Sequence, residues 1–217
     1  MQKAYRGMGM EGSVARWYDK TTRRDLSEYE RLAARIDEML PSGGDILEVA
    51  PGPGFLSIGL AKRGRHRVTG LDISKTFVHI ARKNAESARV SIDFRHGNAS
   101  DMPFAENSFD FVVCRAAFKN FSEPVRAIDE MRRVLRLGGK GVIIDLRRDT
   151  SMTAVSNYVD RMGGNALNGI LVKLAFRFML IRRAYTIAEF RQMLDQVAFQ
   201  RSWIEENPVG LEAWFEK

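Results

Sequence analysis

The chain has 217 residues, 45% of them hydrophobic and 28% charged, a balance that excludes a disordered chain and can fill one sizeable core without disulfide staples. A single cysteine, Cys114, excludes an internal disulfide framework and a cysteine-based zinc site, and no run reaches the roughly eighteen consecutive apolar residues of a membrane span. Lys and Arg number 34 against 27 Asp and Glu, so the net charge of +7 favours anionic company, yet the cations are scattered rather than gathered in a tail.

The opening MQKAYRGMGMEG lacks the continuous apolar stretch of a secretory leader, so the expected location is cytoplasmic. Residues 26–40 then place Leu26, Tyr29, Leu32, Ala33, Ile36, Met39 and Leu40 on one helical face, with a capping box at Ser27 and Glu30 and a stop at Pro41. The apolar run 45–50 predicts a buried strand, 55–63 a helix, 66–72 a second strand, and 74–88 a helix capped by Ser74. A strand over 90–95 and a polar loop over 97–108 lead to the most apolar strand, 109–115. Residues 122–137 predict a helix with Pro124 in its first turn, closed by Gly138 and Gly139, before a strand over 140–146.

Strands alternating with helices predict a Rossmann-like doubly wound α/β fold whose sheet is mainly parallel. After Arg148 the rhythm changes: 151–183 reads as helical with breaks at Gly163-Gly164, Thr186 and Glu189 give a capping box, and two alternating runs flanking Asn207-Pro208 predict an antiparallel hairpin at the sheet edge. The expected organisation is one domain of seven strands: a helical N-terminal cap (1–40), a core (41–150), a helical lid (151–185), and a last helix with the edge hairpin (186–217).

In such a sheet ligands sit at the carboxyl ends of the strands, where strand order reverses. The first predicted strand ends in Glu48-Val-Ala-Pro-Gly-Pro-Gly54, a turn where glycines bring backbone close to a ligand, and the second ends in Asp72, whose carboxylate can accept from both hydroxyls of a ribose. A dinucleotide fingerprint needs a third glycine where this chain has Ser57. A carboxylate at Glu48 also suits a ligand carrying an ammonium better than a pyrophosphate.

ILEVAPGPGFLSIGLA, VTGLDIS, GNASDMPFAENSFDFVVC and FKNFSEPVRAIDEMRRVLRLGGKGVIID, in that order, resemble the successive motifs of class I S-adenosylmethionine-dependent methyltransferases of the UbiE-like group, with YTIAEFRQMLDQVAF similar to a late helix of that family. The resemblance implies a methyltransferase that uses S-adenosylmethionine and moves its methyl to a small or lipophilic acceptor by in-line displacement. It places Glu48, Ala50, Pro51, Gly52 and Gly54 at the methionine end of the cofactor, Asp72 on the ribose, and Ile73, Asn98, Ala99 and Met102 around the adenine. Cys114 and Arg115 would offer backbone to the amino acid moiety, and Tyr18 would close over the cofactor.

Three departures stand out: Ala50 replaces a glycine, Asn98 an aspartate, and Lys119-Asn120 a histidine pair common among relatives. No catalytic residue is assigned; Tyr18, Lys119, Asn120 and Arg147 are candidates for the acceptor side, and no metal is expected. His66, His79 and His96 read as ordinary side chains, and Cys114 as a core residue. Segment 170–185, apolar with Lys173 and Arg177 on one stripe, reads as a lid or as a helix in peripheral contact with a membrane surface. Two other readings stay open: a nucleic-acid methyltransferase, resting on Arg132, Arg133, Arg136, Arg147 and Arg148, and a cofactor-binding module without turnover.

Overall fold

A computed structural model describes residues 5–6, 9–23, 26–161 and 181–217. Two helices, α1 (Gly12–Thr22) and α2 (Leu26–Met39), precede strand β1 (Gly44–Val49). There follow α3 (Phe55–Ala61), β2 (His66–Asp72), α4 (Lys75–Ser87), β3 (Asp93–His96), β4 (Phe109–Arg115), a 3-10 turn at Phe118–Asn120, α5 (Pro124–Val134) and β5 (Leu135–Leu146). Helix α6 (Met152–Arg161), a 3-10 turn at Ile181–Arg183, α7 (Ile187–Asp195), β6 (Arg201–Glu206) and β7 (Gly210–Glu216) are the remaining elements among the described residues.

The seven strands form one sheet in the order β3-β2-β1-β4-β5-β7-β6. β1, β2, β3, β4 and β5 pair in parallel, whereas β7 runs antiparallel between β5 and β6. Both sheet faces are covered. One apolar cluster joins Val112, Cys114 and Ile143 of the sheet to Ile128 and Met131 of α5 and Phe190 of α7. On the other face Ile46, Phe111, Val113 and Trp214 pack on Leu32 and Ile36 of α2 and Leu56 and Leu60 of α3. The doubly wound fold with its antiparallel hairpin is therefore present as expected.

Local signals explain the helix starts. Ser74 accepts from the N–H of Phe77 at the head of α4, and Thr186 and Glu189 form a reciprocal capping box on α7. α2 begins at Leu26, ahead of Ser27, so Ser27 lies inside the helix rather than capping it.

Two predicted boundaries move. The third strand occupies 93–96 rather than 90–95, because the N–H of Val90 still closes the end of α4 on Ala85. The predicted helix 122–137 stops at Val134: Leu135 is extended, pairs with Phe109, and lends its carbonyl to the ammonium of Lys217, which is also bound to the carbonyl of Arg133. The expected 151–185 lid is described only as α6 and the 3-10 turn; most of segment 170–185 lies outside the described residues. No described helix is long and apolar enough to cross a membrane.

Candidate functional site

Strand order reverses between β1 and β4, so the place where a sheet of this kind takes its ligand is the crevice expected at their carboxyl ends, beside the end of β2. Three buried carboxylates stand there: Glu48 inside β1, Asp72 at the tip of β2, and Asp145 near the end of β5.

Asp72 ties the two halves of the predicted ligand turn together. Its Oδ2 accepts from the N–H of Gly52 at 3.0 Å and its Oδ1 from the N–H of Ser74 at 2.8 Å. Each oxygen keeps a further lone pair, which is what two neighbouring hydroxyls need. Burial lifts its pKa to about 6, partly opposed by those two hydrogen bonds. Ile73, next along the chain, is exposed at the rim, an apolar surface set beside a polar grip.

The turn itself is built as its residues require. Ala50 sits at φ +58°, a left-handed conformation that costs a non-glycine residue about 1–2 kcal/mol, and is held there by its N–H on the carbonyl of Leu71. Pro51 and Pro53 are buried and stiffen the bend. At Gly52 a Cβ would meet only the ring of Tyr18, at 4.0 Å, so the glycine leaves space on the crevice side. Gly54 serves a different end: a Cβ there would lie 2.8 Å from the ring of Phe94 and 3.1 Å from Ala81, so this glycine permits close packing beneath the turn.

Glu48 is wholly buried, and its Oε2 accepts from both the N–H and the hydroxyl of Ser57 in the first turn of α3. The residue that breaks the dinucleotide fingerprint is thus the partner of the strand's carboxylate. Burial pushes Glu48 up to about 7, with Ser57 and the Arg115 guanidinium pulling the other way.

An N-terminal segment crosses this edge of the sheet. Tyr5 bridges to Phe121, the N–H of Arg6 donates to the carbonyl of Asn120 at 2.7 Å, and the hydroxyl of Ser74 donates to the carbonyl of Met10 at 2.7 Å. Glu11 then accepts from the hydroxyl and N–H of Thr76 and the N–H of Lys75 at the head of α4, which, against the opposing effect of burial, hold its carboxyl below the usual range. Tyr18 in α1 packs edge-on against Phe77 of α4, 5.8 Å between ring centres, and over Gly52.

At the end of β4, Cys114 is fully buried and its thiol pKa is pushed well up, as befits a core residue. Arg115 bonds to Glu28 at 2.8 Å and lies 4.4 Å over the ring of Tyr29. Ala116 repeats the strained geometry of Ala50, at φ +58°. Lys119 is buried, with its ammonium 2.8 Å from Asp145 Oδ1 and 2.6 Å from the carbonyl of Ala116, while its N–H donates to Asp145 Oδ2 at 2.9 Å.

The remaining predicted residues are less central. Asn98 turns its Oδ1 back to the N–H of Ser100 at 3.0 Å, beside a half-buried Ala99. Met102 is buried in the core, its N–H donating to Glu130 at 2.7 Å. Arg147 lies beyond β5 and binds Glu206 at 2.7 Å, at the hairpin side of the same edge. His66 is bonded to Asp37, and His96 meets the carbonyl of Ile73.

Arg132, Arg133, Arg136, Arg147 and Arg148, the basis of the nucleic-acid reading, each bind a carboxylate or carbonyl of this chain. Residues that the sequence reading missed are Ser57, Asp145, Met10 and Glu11. Asp145 had a signal, a lone acid within an apolar strand as at Glu48; the N-terminal segment had none.

Residues 47–143 match the family model described as a methyltransferase domain. Over 97% of the chain, and 89% of the relative, there is 34% identity to a ubiquinone/menaquinone biosynthesis C-methyltransferase UbiE of Roseobacter denitrificans. A demethylmenaquinone methyltransferase of Deinococcus radiodurans is 32% identical over 63% of this chain and 58% of its own length. Among solved structures, a putative S-adenosylmethionine-dependent methyltransferase from Methanococcus maripaludis superposes with a TM-score of 0.77 at 22% identity, over all of this chain and 97% of that one. The [4+2]-cyclase SpnF shares the fold at a TM-score of 0.60 and 23% identity, covering 81% of this chain and 59% of that one.

Proposed function

The chain belongs to the UbiE-like group of class I S-adenosylmethionine-dependent methyltransferases, and from that premise we propose that its acceptor is a lipophilic quinone-type molecule methylated at carbon. The observation that carries the acceptor class is the reach of the similarity. It covers 97% of the chain, far outside the 47–143 core that the general family shares, and so includes the segments 1–40 and 151–185 to which we assign acceptor specificity.

The cofactor supplies a methyl already activated on a sulfonium. Our assignment gives the ribose hydroxyls to Asp72 and the adenine to Ile73, with Asn98 and Ala99 at its edge and Met102 toward its face. The amino acid end goes to Glu48, the 50–54 turn and the backbone at Cys114 and Arg115. Tyr18 covers the turn. The protein's remaining work is to hold the acceptor aligned and dry, which supplies on the order of 7–11 kcal/mol of a barrier. Tyr18, Lys119, Asn120 and Arg147 are our acceptor-side candidates; with its ammonium committed to Asp145 and the Ala116 carbonyl, Lys119 contributes by shaping the β4 loop. We place the protein in the cytoplasm, where a lipophilic acceptor would be met at a membrane surface.

The test is incubation with methyl-labelled S-adenosylmethionine and a short-chain quinone-type acceptor held in its reduced, hydroquinone form, whose electron-rich ring carbon can take the methyl and release its proton to water, followed by mass spectrometry. A product one methylene heavier, with the label on ring carbon, is the expected result. Cofactor binding without a methylated product from any acceptor, or methylation of nucleic acid alone, would overturn the assignment.

A further inference from the structure

Helix α1 has a face that no other described element covers. Its inner side is spoken for: Ala15 is buried, Tyr18 lies on Phe77 and over Gly52, and Asp19 faces Asn84 of α4 at 3.1 Å. The opposite side carries Ser13, Arg16, Trp17 and Lys20, all exposed. Trp17 is 64% exposed, an indole projecting where burial would be expected of so large a ring. Arg16 and Lys20, on its flanks at helical spacing, have no ion-pair partner among the described residues, and the nearest acid of the helix, Asp19, is turned inward to Asn84 and Arg23. An indole between two free cations is the composition of a water–bilayer interface, where the ring sits among headgroups and the cations meet lipid phosphates.

The position of α1 gives this face a consequence. Glu11 and Met10, just ahead of the helix, are fastened to the head of α4 beside Asp72, so α1 lies at the carboxyl edge of the sheet next to the crevice. A surface gripped by Trp17 would thus lie beside the mouth of the site.

We propose that the exposed face of α1, Arg16, Trp17 and Lys20, docks the enzyme on a bilayer bearing anionic headgroups and presents the crevice to an acceptor dissolved in that bilayer. This rests on the lipophilic-acceptor reading. Charge complementarity selects the occupant: two unpaired cations and an aromatic match anionic lipid, and the arginines first considered for nucleic acid are bound within the chain.

The experiment uses the full chain with vesicles of phosphatidylcholine, alone or with phosphatidylglycerol. Of the three tryptophans, Trp203 and Trp214 stack on one another at the hairpin edge of the sheet, so Trp17 is the one whose emission should respond. Phosphatidylglycerol vesicles should cosediment the protein and shift its emission to the blue, and Trp17→Phe should lose that shift. Arg16→Gln with Lys20→Gln should weaken vesicle binding about thirtyfold, roughly fivefold for each cation. All variants should keep wild-type affinity for S-adenosylhomocysteine, and because vesicle binding is read with no acceptor present, failure of docking is separated from failure of the acceptor assignment. Vesicle binding unchanged in these variants, equal binding to vesicles without phosphatidylglycerol, or binding to duplex DNA in place of vesicles would overturn the proposal.

Discussion

Replacing Lys119 by Met should destabilise the protein by about 3–5 kcal/mol, because it leaves a buried carboxylate without its counter-charge. The side chains of Lys119 and Asp145 are 5% and 1% exposed, and the ammonium makes two short contacts, 2.8 Å to Asp145 and 2.6 Å to the Ala116 carbonyl. Asp145 would keep the N–H groups of Lys119 and Leu146, at 2.9 and 2.8 Å, so the loss is that of the charge partner and of the tie to Ala116. For a domain of this size about 2–4 °C of melting temperature goes with each kcal/mol, so a fall near 10 °C is expected. The fall should shrink in the Lys119→Met, Asp145→Leu double variant, which removes both charges and keeps much of the volume. Because the pair holds the loop at the end of β4 in place, turnover should drop more than cofactor affinity. Thermal melts of the four proteins in a double-mutant cycle, with kcat and cofactor Kd, check this. A single variant within about 1 kcal/mol of wild type would show that the pair does not hold the loop.

Gly54→Ala should cost about 2–4 kcal/mol by urea unfolding, since the new methyl meets Phe94 at 2.8 Å in a residue held at φ +82°; a neutral result would mean the turn moves freely. Acidity should act on the free and liganded protein in opposite senses. Burial raises Glu48 from 4.5 to about 7 and Asp72 from 3.8 to about 6, so the folded protein binds those protons more tightly than the unfolded chain. Their contribution to stability is therefore full below the unfolded values and is lost as pH rises toward 7. On our assignment the cofactor is held by both carboxylates in their ionised form, so its binding should strengthen over the same range. The gap between free and S-adenosylhomocysteine-bound melting temperatures should widen from about pH 5 to pH 8, and a flat gap would contradict the assignment of the two acids.

What could be read from sequence follows from how local each cause is. β1, β2 and β4 are covered on both faces, so their apolar runs announce themselves, and the strand at 109–115 falls where its composition puts it. Helix caps at Ser74 and Thr186 are contacts between residues three apart, and both are present. The end of α5 was misread because Leu135 continues the helical apolar rhythm, while what draws it into a strand is Phe109 and the distant Lys217.

The site divides the same way. Glu48, the turn and Asp72 are legible because strand ends and glycines mark them. The meaning of Ser57 is not, since its value lies in pointing an N–H and a hydroxyl at a strand residue nine positions earlier. The sequence offers Lys119 as a cation for the acceptor side; its partner Asp145, 26 residues on, takes up that ammonium. The placing of Tyr5, Arg6 and Met10 depends on contacts with Phe121, Asn120 and Ser74, none of which any local pattern foretells.

Calorimetric titration of the wild-type chain and of Asp72→Asn with S-adenosylmethionine, S-adenosylhomocysteine and NAD probes the grip of Asp72 and the 50–54 turn most directly. The wild type should bind both sulfur ligands and not NAD, and the variant should remain folded with affinity reduced roughly a hundred- to ten-thousandfold, the worth of two hydrogen bonds to a charged acceptor. Equal affinity in the variant, or a preference of the wild type for NAD, would contradict the account.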